Sequence, residues 1–278
     1  MRPVDLGSPR AITASGPCLS VLAAQSFDIP DRYELKYVIP DWQVDAIRRT
    51  IAPYCVLDPH SARSADHQYI IESLYLDTPA RDLFLASKVR SPRRWKARIR
   101  RYVEGLCPTG MVFLEVKKKS CDLIKKPRAR VPAEGWAERL TCPLHADASP
   151  AERLFRARLE RHRLVPTLLV RYQREAWTSV VDSYARVTFD RRVTCQPWSH
   201  WDFDGNPSGW LPLDNRRMMR TVPHAVVLEL KCTTAVPRWL SNLIRSAGLS
   251  RTSFSKYCNA VERIWGRDAL SSFLSYCT

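Results

Sequence analysis

The sequence predicts an α+β fold: an eight-stranded antiparallel β-barrel with a wide interior and helices packed outside. Three observations carry the prediction. Eight segments alternate charged or polar residues with apolar ones at period two, as strands with two unlike faces do. Turns and short helical stretches separate them, which favours antiparallel connections. The charges fall repeatedly on the face that a single packed sheet would bury, where each costs several kcal/mol unless neutralised. Eight strands closed around a wide interior resolve the conflict, with charged faces lining a water-filled tunnel and apolar faces turned outward.

The first strand, Arg32–Ile39, sets Arg32, Glu34 and Lys36 opposite Tyr33, Leu35 and Tyr37. Pro40 and Asp41 stop it; Asp41 is expected to cap a helix with the stripe Val44, Ile47 and Ile51, closed by Pro53. Tyr69–Asp77 follows, with Ser73, Tyr75 and Asp77 on one face and Leu74 and Leu76 on the other. After Thr78 and Pro79, a short helix through Leu83 and Leu85 leads into the run Arg94–Tyr102. There Lys96, Arg98 and Arg100 form a comb of like charges roughly 7 Å apart. A solvated edge strand could carry such a comb by itself, and its repetition elsewhere decides against that.

A turn at 105–110 precedes Met111–Lys119, which groups Glu115, Lys117 and Lys119 against Leu114 and Val116. A fifth strand is expected over 123–131, carrying Lys125, Lys126, Arg128 and Arg130. Ser149-Pro150-Ala151-Glu152 combines a capping box with proline at the first helical position, and Leu154, Phe155, Arg158 and Leu159 continue at helical spacing. Thr167–Ser179 returns to strand, where Arg171 and Arg174 share a face only if a bulge intervenes. Arg186–Asp190 alternates again, and 198–215 is an irregular excursion whose tryptophans are expected to pack rather than stack on bases. Ala225–Cys232 is the last strand, with Glu229 beside Lys231. Pro237 opens a helix through Trp239, Leu240, Leu243 and Ile244 that Gly248 ends, and a final helix is expected from Ser255 to about Leu274 with a break near Gly266.

The 278 residues hold 44 Lys and Arg against 28 Asp and Glu, a net charge of +16, which points to an anionic partner: nucleic acid, acidic lipid or a phosphate compound. No apolar run reaches the roughly 18 residues of a membrane-spanning helix. The nine cysteines are odd in number, contain no CxxC pair and argue for reduced thiols rather than a zinc site. The chain is therefore expected in the cytoplasm, and the carboxylates Glu34, Glu115 and Glu229 among the cations suggest a divalent ion bound together with the anion.

The run Arg32-Tyr33-Glu34-Leu35-Lys36-Tyr37, the segment Ser73–Thr78, the Lys96/Arg98/Arg100 comb, Leu114–Lys117, Val170–Arg174, Leu228–Lys231 and Phe254-Ser255-Lys256-Tyr257 together resemble the VTC domain. This is the catalytic domain of the vacuolar transporter chaperone polyphosphate polymerases, in the triphosphate tunnel metalloenzyme superfamily. The resemblance covers about 27–265, leaving 1–26 as an expected disordered tail and 266–278 as a C-terminal helical extension. It implies a polymerase that extends inorganic polyphosphate from ATP inside a tunnel, with Mn2+ or Mg2+. Lys36, Arg98, Arg100, Lys117, Arg174, Arg186 and Lys256 are similar to the phosphate-handling cations, and Glu229 to the metal carboxylate. Glu34, Tyr75, Lys96, Glu115, Lys231 and Ser255 are expected to bind substrate beside them, with Lys125 at the tunnel mouth.

Two departures from the family pattern matter. Tunnel phosphatases begin with ExExK, whereas Arg32 stands at the first position here, which favours the polymerase branch. The eukaryotic complexes also carry an SPX domain and membrane helices; neither pattern is read in these residues, so export or membrane attachment is expected only through a separate membrane-protein partner. None of the six histidines lies in the strand motifs where a phospho-carrier would stand. Two other functions compete with the polymerase: a tunnel-fold triphosphatase or polyphosphatase, and a non-catalytic module binding polyphosphate or RNA. Nucleic acid is not the expected partner.

Overall fold

The alternating segments of the sequence become strands of one antiparallel sheet. The computed structural model describes residues 32–266, apart from 106, 121–122, 215–221, 223 and 234. The expected tail over 1–26 and the helical extension beyond Gly266 lie outside the described residues. The strands are β1 (Arg32–Pro40), β2 (Cys55–Leu57), β3 (Tyr69–Asp77), β4 (Arg93–Glu104), β5 (Cys107–Ser120), β6 (Leu123–Lys125), β7 (Arg128–Pro132), β8 (Val165–Ser179), β9 (Ala185–Pro197), β10 (Leu211–Pro212) and β11 (Ala225–Thr233).

Eight of them form a continuous path, β1-β11-β9-β8-β3-β4-β5-β6, with β2, β7 and β10 attached to β8, β5 and β9. The expected closed barrel is corrected here: among the described residues β1 and β6 are the ends of the path, and no backbone ladder joins them. The expected strand over 123–131 is also two strands. Pro127 has no N–H for a ladder, and its carbonyl instead accepts from Val116 N at 3.2 Å.

Register decides which side chains meet. Lys36 lies opposite Glu229, and Glu34 opposite Lys231; Arg174 lies opposite Asp190. Tyr75 pairs with Arg98 and Ser73 with Arg100, while Lys96 pairs with Lys117 and Arg98 with Glu115. Directly opposed residues share a face, so the charged sets of six strands line the concave side.

The convex side is apolar and carries most of the helices. Against Leu228, Leu230, Val187 and Phe189 pack α1 (Val44–Ile51) and α6 (Arg238–Ser246). Against Leu74, Ile99, Leu114 and Val131 pack α4 (Trp136–Thr141) and α5 (Pro150–Arg161). The predicted stripe Val44, Ile47 and Ile51 is buried as read, but Asp41 does not cap it: Asp41–Gln43 form a 3-10 turn and α1 begins at Val44. The predicted cap of α5 is present, Ser149 Oγ accepting from Glu152 N at 3.2 Å. Two short helices, α2 (Pro59–Arg63) and α3 (Asp82–Lys88), sit beside the ends of β3.

The last helix, α7 (Lys256–Trp265), departs from the expectation that helices pack outside. Its Tyr257, Ala260 and Val261 pack with Tyr75, Leu168, Val170 and Tyr172, which belong to the concave face. Half of that face on β3 and β8 is therefore apolar and covered by α7, while the rest is charged. Gly266 ends the helix with φ +82°, a conformation that glycine adopts without strain.

Charged groups also lie on the convex side: Glu175, 1% exposed, meets Arg48 of α1 at 2.5 Å and Arg191 at 3.2 Å, and Glu72 forms a second set. Glu72, 3% exposed, is held between Arg101 and Arg171, the latter donating Nε at 2.7 Å. The excursion over 198–214 covers this triad, placing Phe203 and Trp210 against the two guanidinium groups at 4.7 and 4.3 Å. The odd spacing of Arg171 and Arg174 thus splits them between faces.

Candidate functional site: a cationic tunnel

The concave face gathers its charges around three centres. The first is Glu115 on β5, which is fully buried. It accepts Arg98 Nε at 2.6 Å and meets Lys126 at 2.7 Å and Arg128 at 3.2 Å. Burial alone would raise its pKa, but Arg98, Lys126, Arg100 and Arg128 hold it well below the usual carboxylate range. Arg98 also donates to Tyr75 Oη at 3.0 Å. Arg100 reaches Tyr172 Oη at 3.1 Å and Ser73 Oγ at 3.3 Å. Each fork is thereby fixed in plane, with the geometry that suits an oxyanion.

The second centre is Glu229 on β11, with Asp190 beside it on β9. Lys231 stands 2.9 Å from Glu229, Lys36 3.1 Å, Arg174 3.5 Å and Lys256 3.6 Å. Arg174 is bidentate on Asp190 at 2.6 and 2.7 Å, and Lys256 Nζ is 2.5 Å from the same carboxylate. Burial opposes ionisation of both acids, and the surrounding cations lower both pKa values in spite of it.

The third centre joins the two ends of the curled sheet. Lys117 Nζ donates to both oxygens of Glu34, at 2.8 and 2.9 Å, and Lys36 stands 3.4 Å from Glu34. Burial pulls the Lys117 ammonium down, Glu34 opposes this and Lys36 adds to it, leaving its pKa at about 8. Lys96 completes the wall, donating to Ser255 Oγ at 2.7 Å at the start of α7. Around these centres Lys36, Lys96, Arg98, Arg100, Lys117, Lys126, Arg128, Arg174, Lys231 and Lys256 face Glu34, Glu115, Asp190 and Glu229, ten basic side chains to four acids, with burial holding the Lys126 ammonium well below the ordinary lysine range.

A family model described as the VTC domain matches residues 31–264. The chain belongs to the VTC domain family. No curated protein sequence matches it. Several solved structures are similar, two of them as follows. One, from Bacillus halodurans, is described as a candidate adenylate cyclase; it is 9% identical and covers 81% of this chain and 94% of its own, at a TM-score of 0.45. The other, the PH1819 protein of Pyrococcus horikoshii OT3, is 14% identical and covers 88% and 99%, at 0.38. Likenesses this distant carry no chemistry across. Among the described residues of this VTC domain no helix is long and apolar enough to cross a membrane.

Of the residues singled out in the sequence, Glu34, Lys36, Tyr75, Lys96, Arg98, Arg100, Glu115, Lys117, Arg174, Glu229, Lys231, Ser255 and Lys256 are brought together on the concave face of the VTC domain. Arg186 is not. It shares the concave face, opposite Lys231, but its guanidinium pairs with Asp58, the N-cap of α2, and not with any of the four acids of the centres. Lys125 lies opposite Lys118 in β6, and it is its neighbour Lys126 that reaches Glu115. Sequence reasoning gave no role to Asp190, Lys126, Arg128 or Tyr172. Asp190 was within reach of the same period-two reading, four residues after Arg186; the inward turn of Lys126 depends on the break at Pro127.

The resemblance implies a divalent metal on Glu229, and the residues present do not fit one. Two cations, Arg174 and Lys256, each touch both Glu229 and Asp190, so the place between these acids is taken. Lys36 likewise touches both Glu34 and Glu229. Among the described residues no three His, Cys, Asp or Glu side chains converge as metal ligands do.

Proposed function

We propose that this VTC domain is an ATP:polyphosphate phosphotransferase, extending an inorganic polyphosphate chain with the γ-phosphate of ATP inside the tunnel. The excess of basic over acidic side chains around the three centres carries the reading. Same-face residues on one strand recur at roughly 7 Å, so Lys96, Arg98 and Arg100 on β4 offer a row of positive charge to a ligand that repeats its own negative charge along its length, and β1, β5 and β11 add a lysine each beside an acid.

Phosphoryl transfer asks the protein mainly for in-line positioning and neutralisation of the equatorial oxygens. In the proposed step a terminal oxygen of the acceptor chain attacks the γ-phosphorus of ATP. A new P–O bond forms as the bond to the β,γ-bridging oxygen breaks, and ADP leaves with that electron pair. Arg98 and Arg100, fixed by Glu115, Tyr75, Ser73 and Tyr172, offer planar forks to the transferring group. Lys36, Lys117 and Lys231 act as point charges along the chain. Arg32, where tunnel phosphatases have a carboxylate, favours transfer over hydrolysis. ATP makes this a cytoplasmic reaction, with any membrane attachment supplied by a separate protein.

The test is a reaction of the purified full chain with ATP, with and without manganese, following ADP, free phosphate and a polyphosphate-resolving gel. ADP accumulating with a ladder of long chains and little free phosphate supports the reading. Free phosphate without a ladder moves it to a tunnel-fold hydrolase, and neither product with polyphosphate still bound leaves a binding module.

A further inference from the structure

Glu229 and Asp190 are the two buried acids nearest to forming a metal site, yet two cationic heads stand where the ion would have to be. Lys256 and Arg174 have side chains 6% and 9% exposed. Each is held by both acids, Lys256 at 2.5 and 3.6 Å and Arg174 at 2.6 and 3.5 Å. A divalent cation placed against them would add like-charge repulsion at contact range in a poorly solvated site, where each unit charge interacts far more strongly than in water. The other two acids repeat the arrangement, Glu34 being shared by Lys36 and Lys117 and Glu115 being enclosed by Arg98, Lys126 and Arg128. The carboxylates therefore act as anchors that hold cationic heads in position.

We propose that this tunnel binds linear phosphate chains as metal-free polyanions, with Lys256 and Arg174 occupying the position between Glu229 and Asp190 where a protein-held divalent cation would stand. The inference rests on the reading of the tunnel as a phosphate site. It makes a distinctive demand: a divalent ion in solution, by masking charge on the phosphate, competes with the tunnel instead of assisting it.

Tripolyphosphate titrated calorimetrically into the full chain, once with a chelator and once with millimolar Mn2+, tests this. The expected result is binding in chelator that is equal to or tighter than binding in manganese. A gain of more than about tenfold on adding manganese overturns it. Mn2+ alone, followed by electron paramagnetic resonance, is expected to stay free in the presence of the protein; stoichiometric capture that Glu229→Gln abolishes also overturns it. Capture can be scored this way even if the variant is too unstable for calorimetry, because the wild-type spectrum alone supplies the first half. No tripolyphosphate binding under either condition sinks the phosphate reading itself and this inference with it, whereas binding only in manganese sinks this inference and leaves the phosphate reading standing.

Discussion

Lys117 on β5 grips both oxygens of Glu34 on β1, at 2.8 and 2.9 Å, across the line where the sheet has no ladder. The two strands are nearly the extremes of the strand order, so this contact between side chains does the work that hydrogen-bonded closure does in a barrel.

Lys117→Met is therefore expected to loosen phosphate binding more than it loosens the fold. The pair is partly open, Lys117 being 31% exposed, so its loss should cost no more than about 1 kcal/mol of stability. A charge-assisted contact to phosphate is worth about 1.5–3 kcal/mol, so affinity for tripolyphosphate should fall about tenfold or more. Urea denaturation and calorimetry read the two effects separately.

A pH titration of binding should bend where Lys117 loses its proton, at about 8. The bound anion prefers the ammonium, so affinity is flat below that value and falls above it, by up to about tenfold per pH unit for one coupled proton. The fold responds in the opposite sense. Between about 8 and the ordinary lysine value the unfolded chain binds a proton that the folded one does not, so this group's contribution to stability rises with pH. Lys117→Arg keeps its charge and should remove the bend in binding.

Glu115→Gln leaves Arg98, Arg100, Lys126 and Arg128 without their shared anion in a buried place. Breaking such a set by removing one partner costs about 3–5 kcal/mol, measurable as a lowered urea midpoint. Tripolyphosphate, which can supply the missing negative charge, should restore part of that loss in the variant and stabilise it by more than it stabilises the parent.

Tyr257→Phe removes the hydroxyl that Tyr257 donates to Asp77, a carboxylate already accepting Leu83 N and Phe84 N, each at 2.9 Å. The buried acceptor loses one of its donors, for a cost of about 1–3 kcal/mol. Because Lys256 precedes Tyr257 on α7, a looser seat should also weaken phosphate binding. Arg186→Ala, whose guanidinium is engaged by Asp58 and by none of the four acids of the centres, should change tripolyphosphate affinity less than Lys117→Met does in the same assay.

Much of this was legible because strand alternation records solvation locally. Lys96, Arg98 and Arg100 announce a polar face whatever lies opposite, and Glu34, Lys36, Glu229 and Lys231 repeat it. Where the outcome depended on distant partners, the residues alone fell short. Arg186 obeys the alternation of β9, and only the arrival of Asp58 from the loop before α2 draws it aside. The gap between β1 and β6 follows from the summed curl of many strands, which no single stretch specifies. The inward packing of α7 was hidden for a similar reason. Its apolar stripe says that something covers it without saying which side of the sheet that is.

The convex triad of Glu72, Arg101 and Arg171 repeats the plan of the Glu115 centre inside: one buried acid with flanking guanidiniums. Phe203 and Trp210 each cover a face of one guanidinium, yet Arg101 and Arg171 keep 22% and 37% of their side-chain surface open, against the 15% of Arg98 and the 31% of Lys117. Charge balance separates the two places: the outer acid meets two cations, whereas Glu115 gathers Arg98, Arg100, Lys126 and Arg128, so the inner wall carries the larger positive excess.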